Sequence, residues 1–363
     1  MAAALDHEER SRGLSHLRPE AGATASKNAK TAISGITLIV VSWKDRDDLV
    51  GCLESLSAAR RRAPAGGPEL SLVVVDNGGQ LAEPGPIRSL WPGASWIVNE
   101  RNRGLGPAAN QAAAAATGDV LLFMNPDTRA EGEPYSEIAR AFAERPEVVA
   151  VAPRLIDAGV PVNGASRRLS PPDREDQFTF QLRRLPTLGS DARQLLLFDH
   201  LFPNNAGRRR ERYADRDRDS PFAVEQAAGA ALAVRRSAFV AVGGFDEGFT
   251  PAWFEDVDLC DRLASNGGTI LYWPSARFRH AGGASSRKLG YDHFLPIYYE
   301  NALRYRRRYA PLKRAIYRIL LGAGMALRLA ALPFRPSMPR PRTQAARAYF
   351  RTLAVVLGRR PRS

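Results

Sequence analysis

Cysteine is scarce in this 363-residue chain, which contains only Cys52 and Cys260. Two cysteines cannot form the disulfide framework of a small secreted protein, and they show no metal-ligand spacing. We therefore expect both thiols to be buried without a chemical role, in a protein of a reducing compartment. Because 44% of the residues are apolar, a chain of this length can form a globular core.

A signal-peptide pattern is also missing. Residues 1–34 do not run from basic to apolar to small residues, and they are polar and rich in Ala, Gly and Ser. We expect a flexible N-terminal tail in these residues.

Acidic residues are rare near the C-terminal end. Residues 287–363 hold 18 Lys and Arg but only Asp292 and Glu300, so the net charge of +14 resides there and the rest of the chain is slightly acidic. Such a tail can bind nucleic acid or anionic lipid, and the residues between the charges decide which. Here they are aliphatic, which favours an anionic membrane surface and argues against nucleic acid.

A long uninterrupted apolar run is absent as well. Arg318 and Arg328 break the apolar sequence of residues 314–334, which falls short of the roughly 20 clean residues of a transmembrane helix. We expect residues 291–363 to form a basic, amphipathic helical region that lies on a membrane. The alternative is a helix packed on the catalytic domain with a solvated basic face.

The first half of the chain alternates strands and helices. Residues 36–42, 70–76, 95–98 and 119–124 have the pattern of buried strands, with helical patterns between them. This order predicts an α/β fold with a mostly parallel sheet flanked by helices. Ligands of such sheets bind beyond the carboxyl ends of the strands. Polar residues follow all four predicted strands: Ser42 to Lys44, Asp76 and Asn77, Asn99 to Asn102, and Asn125 to Asp127.

Residues 165–222 differ in character, because they are dense in Arg and Asp with scattered apolar residues. We expect a poorly ordered surface insertion there. Regular patterning returns with a strand and a short helix in residues 225–245.

Asp127 is the first candidate for chemistry. A carboxylate at a strand end, beside a diphosphate, can hold Mg²⁺ or Mn²⁺, since these ions often take one or two protein carboxylates and substrate phosphates. Asp before Thr128 is also a good helix or turn cap, and this reading stays open. His280 is a second candidate metal ligand, although a lone histidine is often an ordinary hydrogen-bonded residue.

Four acids stand between Glu255 and Asp261 and follow Trp253 and Phe254. Acids in the first turn of a helix are favoured by its dipole, which accounts for the cluster without any function. Two large aromatic residues directly before it are typical of a sugar-binding pocket, where one group stacks and another acts as a general base. A rival motif, residues 104–109 (GLGPAA), matches the dinucleotide fingerprint but follows the third strand and contains Pro107.

Six motifs together resemble the family 2 inverting glycosyltransferases of the GT-A fold, above all the rhamnosyltransferase-like branch. They occur in the family's order over residues 36–286: LIVVSWKDRDDLVGCLESL, LVVVDNGG, NRGLGPAANQAAAAATGDVLLFMNPDT, GAALAVRRSAFVAVGGFDEGF, FEDVDLCDRL and RHAGGASS. The resemblance implies a GT-A domain over residues 35–290, with the charged segment 165–222 inserted in it. It also implies a nucleotide-sugar donor and a polyprenyl-diphosphate-linked or saccharide acceptor.

The resemblance assigns roles to individual residues. Asp127 matches the end of the metal motif, and His280 matches a histidine that completes the metal shell in some relatives. Asp256 matches the catalytic base that takes the proton of the acceptor hydroxyl while the anomeric centre inverts. The donor side comprises Ser42, Trp43, Lys44 and Asp76 around the base, and Asn102, Gly104, Asn110 and Asn125 around the ribose, diphosphate and metal motif. Acceptor-side or supporting residues are Trp253, Glu255, Asp258 and Arg262, with Arg262 expected to pair with one of the acids.

The resemblance therefore predicts a metal-dependent, inverting glycosyltransferase that acts in cell-wall or surface-polysaccharide synthesis. The expected donor is dTDP-rhamnose, with a UDP-sugar as the alternative. The expected place is the cytoplasm, peripheral on the inner face of the plasma membrane. Other classes left open are a nucleotidyltransferase, for which the loop after the first strand lacks a Gly-rich basic sequence, and a nucleotide- or lipid-binding protein without catalysis.

Overall fold

The computed structural model describes residues 33–44, 46–79, 81, 85–157, 178–282, 289–334 and 341–359. The predicted N-terminal tail up to residue 32 and part of the predicted insertion, residues 165–177, lie outside these ranges. The chain divides into two compact units. The first comprises residues 1–183, 217–251 and 255–282, and the second comprises residues 184–216, 252–254 and 283–363.

The elements follow the alternation that the sequence predicts. The strands are β1 (Gly35–Ser42), β2 (Glu69–Asn77), β3 (Ser95–Asn99), β4 (Val120–Met124), β5 (Thr128–Glu131), β6 (Val148–Asp157), β7 (Leu182–Arg183), β8 (Phe222–Val224), β9 (Gln226–Ala227), β10 (Ala231–Arg235) and β11 (Thr269–His280). The helices are α1 (Arg46–Arg62), α2 (Gly85–Arg88), α3 (Leu105–Ala114), α4 (Pro134–Glu144), α5 (Phe178–Gln181), α6 (Leu188–Leu195), α7 (Phe198–Leu201), α8 (Ala206–Glu211), α9 (Arg236–Ala241), α10 (Glu255–Ser265), α11 (Tyr291–Tyr305), α12 (Pro311–Ala331) and α13 (Arg342–Val356). Two short 3₁₀ helices are Arg306–Arg308 and Leu332–Phe334.

The first unit is built on a large sheet with the strand order β3-β2-β1-β4-β10-β6-β11-β5, and β8 pairs with β11. The strands β1 to β4 are parallel to one another, as the sequence predicts. The strand β10 runs antiparallel to both β4 and β6, and β5 runs antiparallel to β11. The sheet is therefore parallel in its first part and mixed as a whole.

The apolar periodicity explains how helices cover this sheet. Every residue of β1 is buried, which fits a strand with helices on both faces. In α1, Leu49, Leu53 and Leu56 are buried together with Cys52, at the helical spacing that the sequence shows. Cys260 of α10 is buried too, so both cysteines lie in the core as predicted.

The second unit consists of helices. The helix α11 packs against α13, and α12 packs against both α13 and α6. Tyr317, Leu321 and Met325 form part of the buried face of α12. Residues 184–216 thus share a unit with the C-terminal helices, whereas the sequence placed them inside the catalytic domain.

The expectation of a poorly ordered insertion is wrong for residues 178–222, which contain α5 to α8, the strand β7 and the first residue of β8. Charged side chains there form ion pairs both within the segment and with residues outside it. Arg193 contacts both Asp199 and Glu211 at 3.3 and 2.8 Å. The Thr187 side chain caps α6 and Asn205 caps α8, which supplies the start signals that a composition count overlooks.

Candidate functional site

The carboxyl ends of the first four strands bring the predicted donor-side residues to one edge of the sheet. Register pairs Ser42 with Asp76 on the neighbouring strand, and Asn77 with Asn99. Asn125 follows β4, which is parallel to β1, at the same edge. The Ser42 hydroxyl is buried and has no hydrogen-bond partner among the described residues. A buried polar atom in this state needs a partner, and a bound ligand can supply it.

The loop after β1 carries Trp43 and Lys44. The Lys44 ammonium lies 5.0 Å from the centre of the Trp43 ring, within reach of a cation–π contact. Asp76, at the end of β2, is buried and accepts a hydrogen bond from the Leu81 backbone N–H at 3.1 Å. Their predicted role around the nucleotide base stays a prediction.

A network of amide side chains fixes the loop between β3 and α3. The Asn77 amide donates to Asn102 Oδ1 at 2.9 Å, and the Asn99 amide donates to Asn77 Oδ1 at 3.0 Å and to Gln111 Oε1 at 2.9 Å. Asn102 Oδ1 also accepts from the Gly104 N–H at 2.9 Å. Asn77, Asn99 and Gln111 were not assigned roles from the sequence, although the recurrence of Asn at strand ends is a visible signal.

Gly104 stands at the start of α3 with φ of 94°, a left-handed conformation that favours glycine. A Cβ atom there would lie 3.1 Å from Thr250 Cγ2 and 3.3 Å from the Pro251 carbonyl oxygen. The next residue, Leu105, donates its N–H to that carbonyl at 2.8 Å. Gly104 thus allows the chain before α10 to approach the start of α3.

Asn110 has a different place from the predicted one. Its side chain is buried, donates to the Phe245 carbonyl at 3.0 Å and accepts from the Phe245 N–H at 2.9 Å. It also donates to Glu247 at 3.1 Å. The prediction that Asn110 lines the ribose and diphosphate is corrected, because these contacts occupy the amide in holding residues 245–247.

Asp127 and His280 meet although 153 positions separate them in the sequence. The strand β5 begins directly after Asp127 and pairs with the end of β11, so that Thr128 lies opposite His280. His280 Nε2 lies 3.3 Å from Asp127 Oδ1, and both side chains are buried. The Gly282 N–H donates to Asp127 Oδ2 at 3.1 Å. The structure therefore brings the two predicted metal ligands together, and their binding of a metal stays a prediction.

The surroundings keep Asp127 ionised. Burial alone would raise its pKa, but the neighbouring His280 side chain, together with the Gly282 N–H, leaves the pKa below its ordinary value. A metal ligand must be deprotonated, so this environment suits one. Within the described ranges no group of three or more His, Cys, Asp or Glu side chains is placed to hold a metal.

Asp256 lies in the first turn of α10, as predicted. Its carboxylate accepts the Gly229 N–H at 3.1 Å and the Val257 N–H at 2.8 Å. Burial raises the pKa of Asp256 even though both hydrogen bonds lower it. A carboxylate with a raised pKa is a stronger base than an ordinary aspartate.

A two-residue segment before β10 connects Asp256 to the turn that carries Asp127. Gly229 bonds to Asp256, while the carbonyl of the next residue, Ala230, accepts from the Asn125 N–H at 3.1 Å and from Thr128 Oγ1 at 3.0 Å. Asn125 is thus a supporting residue of this turn through its backbone. No role was predicted for Gly229 or Ala230, because their contribution is made by backbone atoms.

Two other acids of α10, Glu255 and Asp258, are buried. Asp258 is buried and pairs with Arg262 at 2.7 Å. This confirms the prediction that Arg262 pairs with one of the acids. Arg262 also donates to the Val242 carbonyl at 2.7 Å, so that the pair ties α10 to the end of α9. Glu255 is buried at the start of the helix. Its predicted acceptor-side role stays a prediction.

Trp253 and Phe254 belong to the second unit. Trp253 contacts Phe294 edge-to-face with ring centres 4.7 Å apart, and Phe254 packs against Tyr298 at 5.1 Å. Both have left-handed backbones, with φ of 77° and 73°. Two such non-glycine residues in succession cost on the order of 1–3 kcal/mol each, and conformations of this kind cluster at functional sites.

Comparison with known proteins identifies the class. The family model described as "Glycosyl transferase family 2" matches residues 37–213, and the model described as "N-terminal domain of galactosyltransferase" matches residues 213–282. A protein of Mycobacterium tuberculosis, present in strains CDC 1551 / Oshkosh and ATCC 25618 / H37Rv, is 26% identical over 321 residues. It is named N-acetylglucosaminyl-diphospho-decaprenol L-rhamnosyltransferase, and the match covers 85% of this chain and 95% of that protein.

Two solved structures are similar at a TM-score of 0.49. One is GalNAc-T7 with UDP, GalNAc and Mn²⁺, which is 14% identical; the match covers 86% of this chain and 59% of that chain. The other is a mannosyltransferase from Pyrobaculum calidifontis in complex with GDP-Man and Mn²⁺, which is 15% identical, with 97% and 93% covered.

The fold, the matched families and the polar edge of the sheet together define a glycosyltransferase. The chain belongs to glycosyl transferase family 2 and has the GT-A fold.

Proposed function

We propose that this protein is an inverting, divalent-metal-dependent glycosyltransferase that transfers a sugar from a nucleotide donor to a polyprenyl-diphosphate-linked acceptor. The observation that carries the proposal is the meeting of Asp127 and His280 beside a turn that Gly229 and Ala230 link to Asp256. Metal ligands and a general base are thereby connected through one short segment of backbone.

The donor set at Asp127 and His280 fits Mg²⁺ or Mn²⁺. A carboxylate oxygen is a ligand that both ions prefer, and an imidazole nitrogen is an additional ligand that Mn²⁺ tolerates. Two protein ligands are sufficient where a diphosphate supplies others. When bound, such an ion neutralises the charge that develops on the departing nucleoside diphosphate.

Asp256 supplies the other half of the reaction. Its carboxylate accepts the proton of the acceptor hydroxyl as that oxygen attacks the anomeric carbon from the face opposite the leaving group, which inverts the configuration. The hydrogen bonds from Gly229 and Val257 fix the orientation of this carboxylate before the acceptor binds.

The mycobacterial relative supports a specific donor and acceptor. Its name states transfer of L-rhamnose to N-acetylglucosaminyl-diphospho-decaprenol. We take dTDP-rhamnose as the first donor to test, and a UDP-sugar as the second. The reaction belongs to cell-wall or surface-polysaccharide synthesis.

Such an acceptor resides in a membrane, and the basic C-terminal region is suited to the anionic inner face of the plasma membrane. The proposed localisation is therefore cytoplasmic and peripheral. By length and composition the helix of residues 311–334 is able to cross a membrane, whereas the sequence predicted a run too interrupted for that; core helices of soluble proteins pass the same test.

Removal of the Asp127 carboxylate is expected to abolish the metal-dependent part of nucleotide binding. With dTDP or UDP and Mn²⁺, the melting temperature of the wild type should rise, because a ligand that binds only the folded state stabilises it in proportion to occupancy. In Asp127→Ala the increment due to Mn²⁺ should vanish. Thermal shift with dTDP, UDP, GDP and NAD, each with and without Mn²⁺, measures this and ranks the donors.

Asp119→Ala is the matched control, because Asp119 precedes β4 while Asp127 follows it at the opposite end. Its metal-dependent shift should equal that of the wild type. A rise in melting temperature with NAD in the absence of Mn²⁺ would contradict the proposal. It would indicate that residues 104–109 bind a dinucleotide.

A further inference from the structure

The second unit exposes an apolar surface in the residues that follow α6 and include the short helix α7. We name this segment the apolar loop (Leu196–Phe202). Leu201 is 68% exposed and Phe202 is 56% exposed, and Leu196 and Phe198 are exposed as well. The rings of Phe198 and Phe202 lie 4.9 Å apart and form one continuous apolar surface. Exposed apolar clusters of this kind mark interaction sites.

The apolar loop has two polar residues, of which His200 is exposed and Asp199 is held inside. Asp199 is buried, and its Oδ1 accepts from Asn205 Nδ2 at 2.8 Å and from Arg193 Nε at 3.3 Å. The Asp199 carbonyl accepts from Arg208 Nη1 at 2.9 Å. A surface turn in water usually has the reverse arrangement, since burial of a carboxylate costs free energy unless it is paired. Here the pairing holds the turn and directs the apolar side chains outward.

The helix α12 carries a second apolar surface in the same unit. Leu312, Ile316, Ile319 and Leu327 are exposed and recur at the spacing of one helical face. The opposite face, with Tyr317, Leu321 and Met325 among its residues, is the buried one. This helix is therefore apolar on the side that its neighbours leave uncovered.

The residues just before the apolar loop contact α12 directly. Arg328 of α12 donates to the Leu195 carbonyl at 2.5 Å and to the Gln194 carbonyl at 3.0 Å. Gly324 approaches so closely that a Cβ atom there would lie 2.7 Å from the Leu195 carbonyl oxygen. The apolar loop thus begins one residue after Leu195, which α12 contacts.

The charge around these surfaces favours one occupant. Residues 184–216 hold seven Arg against four acids, and residues 287–363 hold 18 Lys and Arg against two acids. An apolar surface within a basic unit complements an anionic bilayer, in which apolar side chains enter the interface and basic ones meet lipid phosphates.

We propose that the apolar loop inserts into the interface of an anionic bilayer and acts together with the exposed face of α12. The inference deepens the proposed function, because a polyprenyl-linked acceptor places the reaction at a bilayer. It assigns membrane binding to an internal segment in addition to the basic C-terminal residues.

The test is co-sedimentation of the full chain with vesicles of phosphatidylglycerol and phosphatidylcholine that contain no acceptor. The triple variant Phe198→Ser, Leu201→Ser, Phe202→Ser should lower the partition coefficient at least about tenfold, because it removes three apolar side chains that the bilayer would bury. Phe180→Ser is the matched control: Phe180 is 54% exposed and lies in the first unit. Its partition coefficient should equal that of the wild type.

Three outcomes would overturn the inference. One is unchanged partitioning of a triple variant that keeps the nucleotide-dependent thermal shift of the wild type. Another is equal binding of the wild type to phosphatidylcholine alone, which removes the anionic partner. The third is a wild-type dimer in solution that the triple variant abolishes, which would make a second copy the occupant. Because the vesicles contain no acceptor, absence of sugar transfer would count against the proposed function and not against this inference.

Discussion

Replacement of Asp256 by Asn is expected to lower the rate of sugar transfer by about 10²–10⁴-fold, the range that a general base contributes. Asn keeps the shape of the side chain and can still accept the Gly229 N–H through its carbonyl oxygen. It cannot take a proton from the acceptor hydroxyl. Nucleotide binding should therefore remain nearly intact while transfer is lost, and initial rates with parallel thermal shifts on the same preparation measure the two.

Asp261→Asn is the matched control, since Asp261 is an acid of the same helix with no assigned role in the reaction. Its rate should stay within about twofold of the wild type, as ordinary surface substitutions are close to neutral. Near-normal transfer by Asp256→Asn would exclude the base assignment.

The raised pKa of Asp256 predicts the acid limb of the pH profile. Transfer needs the ionised carboxylate, so kcat/KM should rise with pH through this pKa. Because burial raises that pKa above the ordinary 3.8, the midpoint of the limb should lie above 3.8. A profile of kcat/KM against pH measures it, and a midpoint at or below 3.8 that belongs to the chemical step would contradict the assignment.

Local patterns were sufficient for the parallel part of the sheet. Continuous apolar runs predicted β1 and β2, and the polar residues after each strand predicted which edge carries the site. The antiparallel direction of β10 could not be predicted, because it is set by pairing with β4 and β6 across long stretches of sequence. Periodicity within a single strand carries no information about the direction of its neighbours.

The same limit applies to the site residues: local motifs predicted some of them, and contacts with distant parts of the chain could not be predicted. Asp127 and His280 were predicted from motifs, and the pairing of β5 with β11 explains why they meet. Asn110 was misplaced, because a sequence motif does not reveal that a backbone 135 positions away saturates its amide. Backbone contributions such as those of Gly229 are invisible to any reading of side-chain types.

An ion pair that the sequence could not reveal joins residues 184–216 to the C-terminal helices. Asp191 of α6 and Arg306 after α11 are both buried, and Arg306 Nε donates to Asp191 Oδ2 at 2.9 Å, with a second contact from Nη2 to Oδ1. The Arg306 guanidinium also lies 3.9 Å from the centre of the Tyr317 ring. One charged pair therefore joins the segment to both α11 and α12.

Asp191→Ala is expected to cost about 3–5 kcal/mol in the free energy of unfolding, because it leaves the Arg306 charge buried without its partner. Urea denaturation, followed by far-UV circular dichroism, measures the loss. Glu144→Ala is the control, since its pair with Arg140 is exposed and joins residues four apart on α4, where such pairs contribute about 0.3–0.5 kcal/mol.

The double variant Asp191→Leu, Arg306→Met separates two explanations of that loss. Apolar residues of similar volume can replace a buried ion pair at little cost, so the double variant should be more stable than Asp191→Ala. The wild type, Asp191→Ala and the double variant are compared. If the double variant is instead the least stable of these three proteins, attraction between the two charges, and not the burial of an unpaired charge, holds α6 against the C-terminal helices. Measured with and without phosphatidylglycerol vesicles, the same series also reports whether a loosened α6 weakens membrane binding by the apolar loop that follows it.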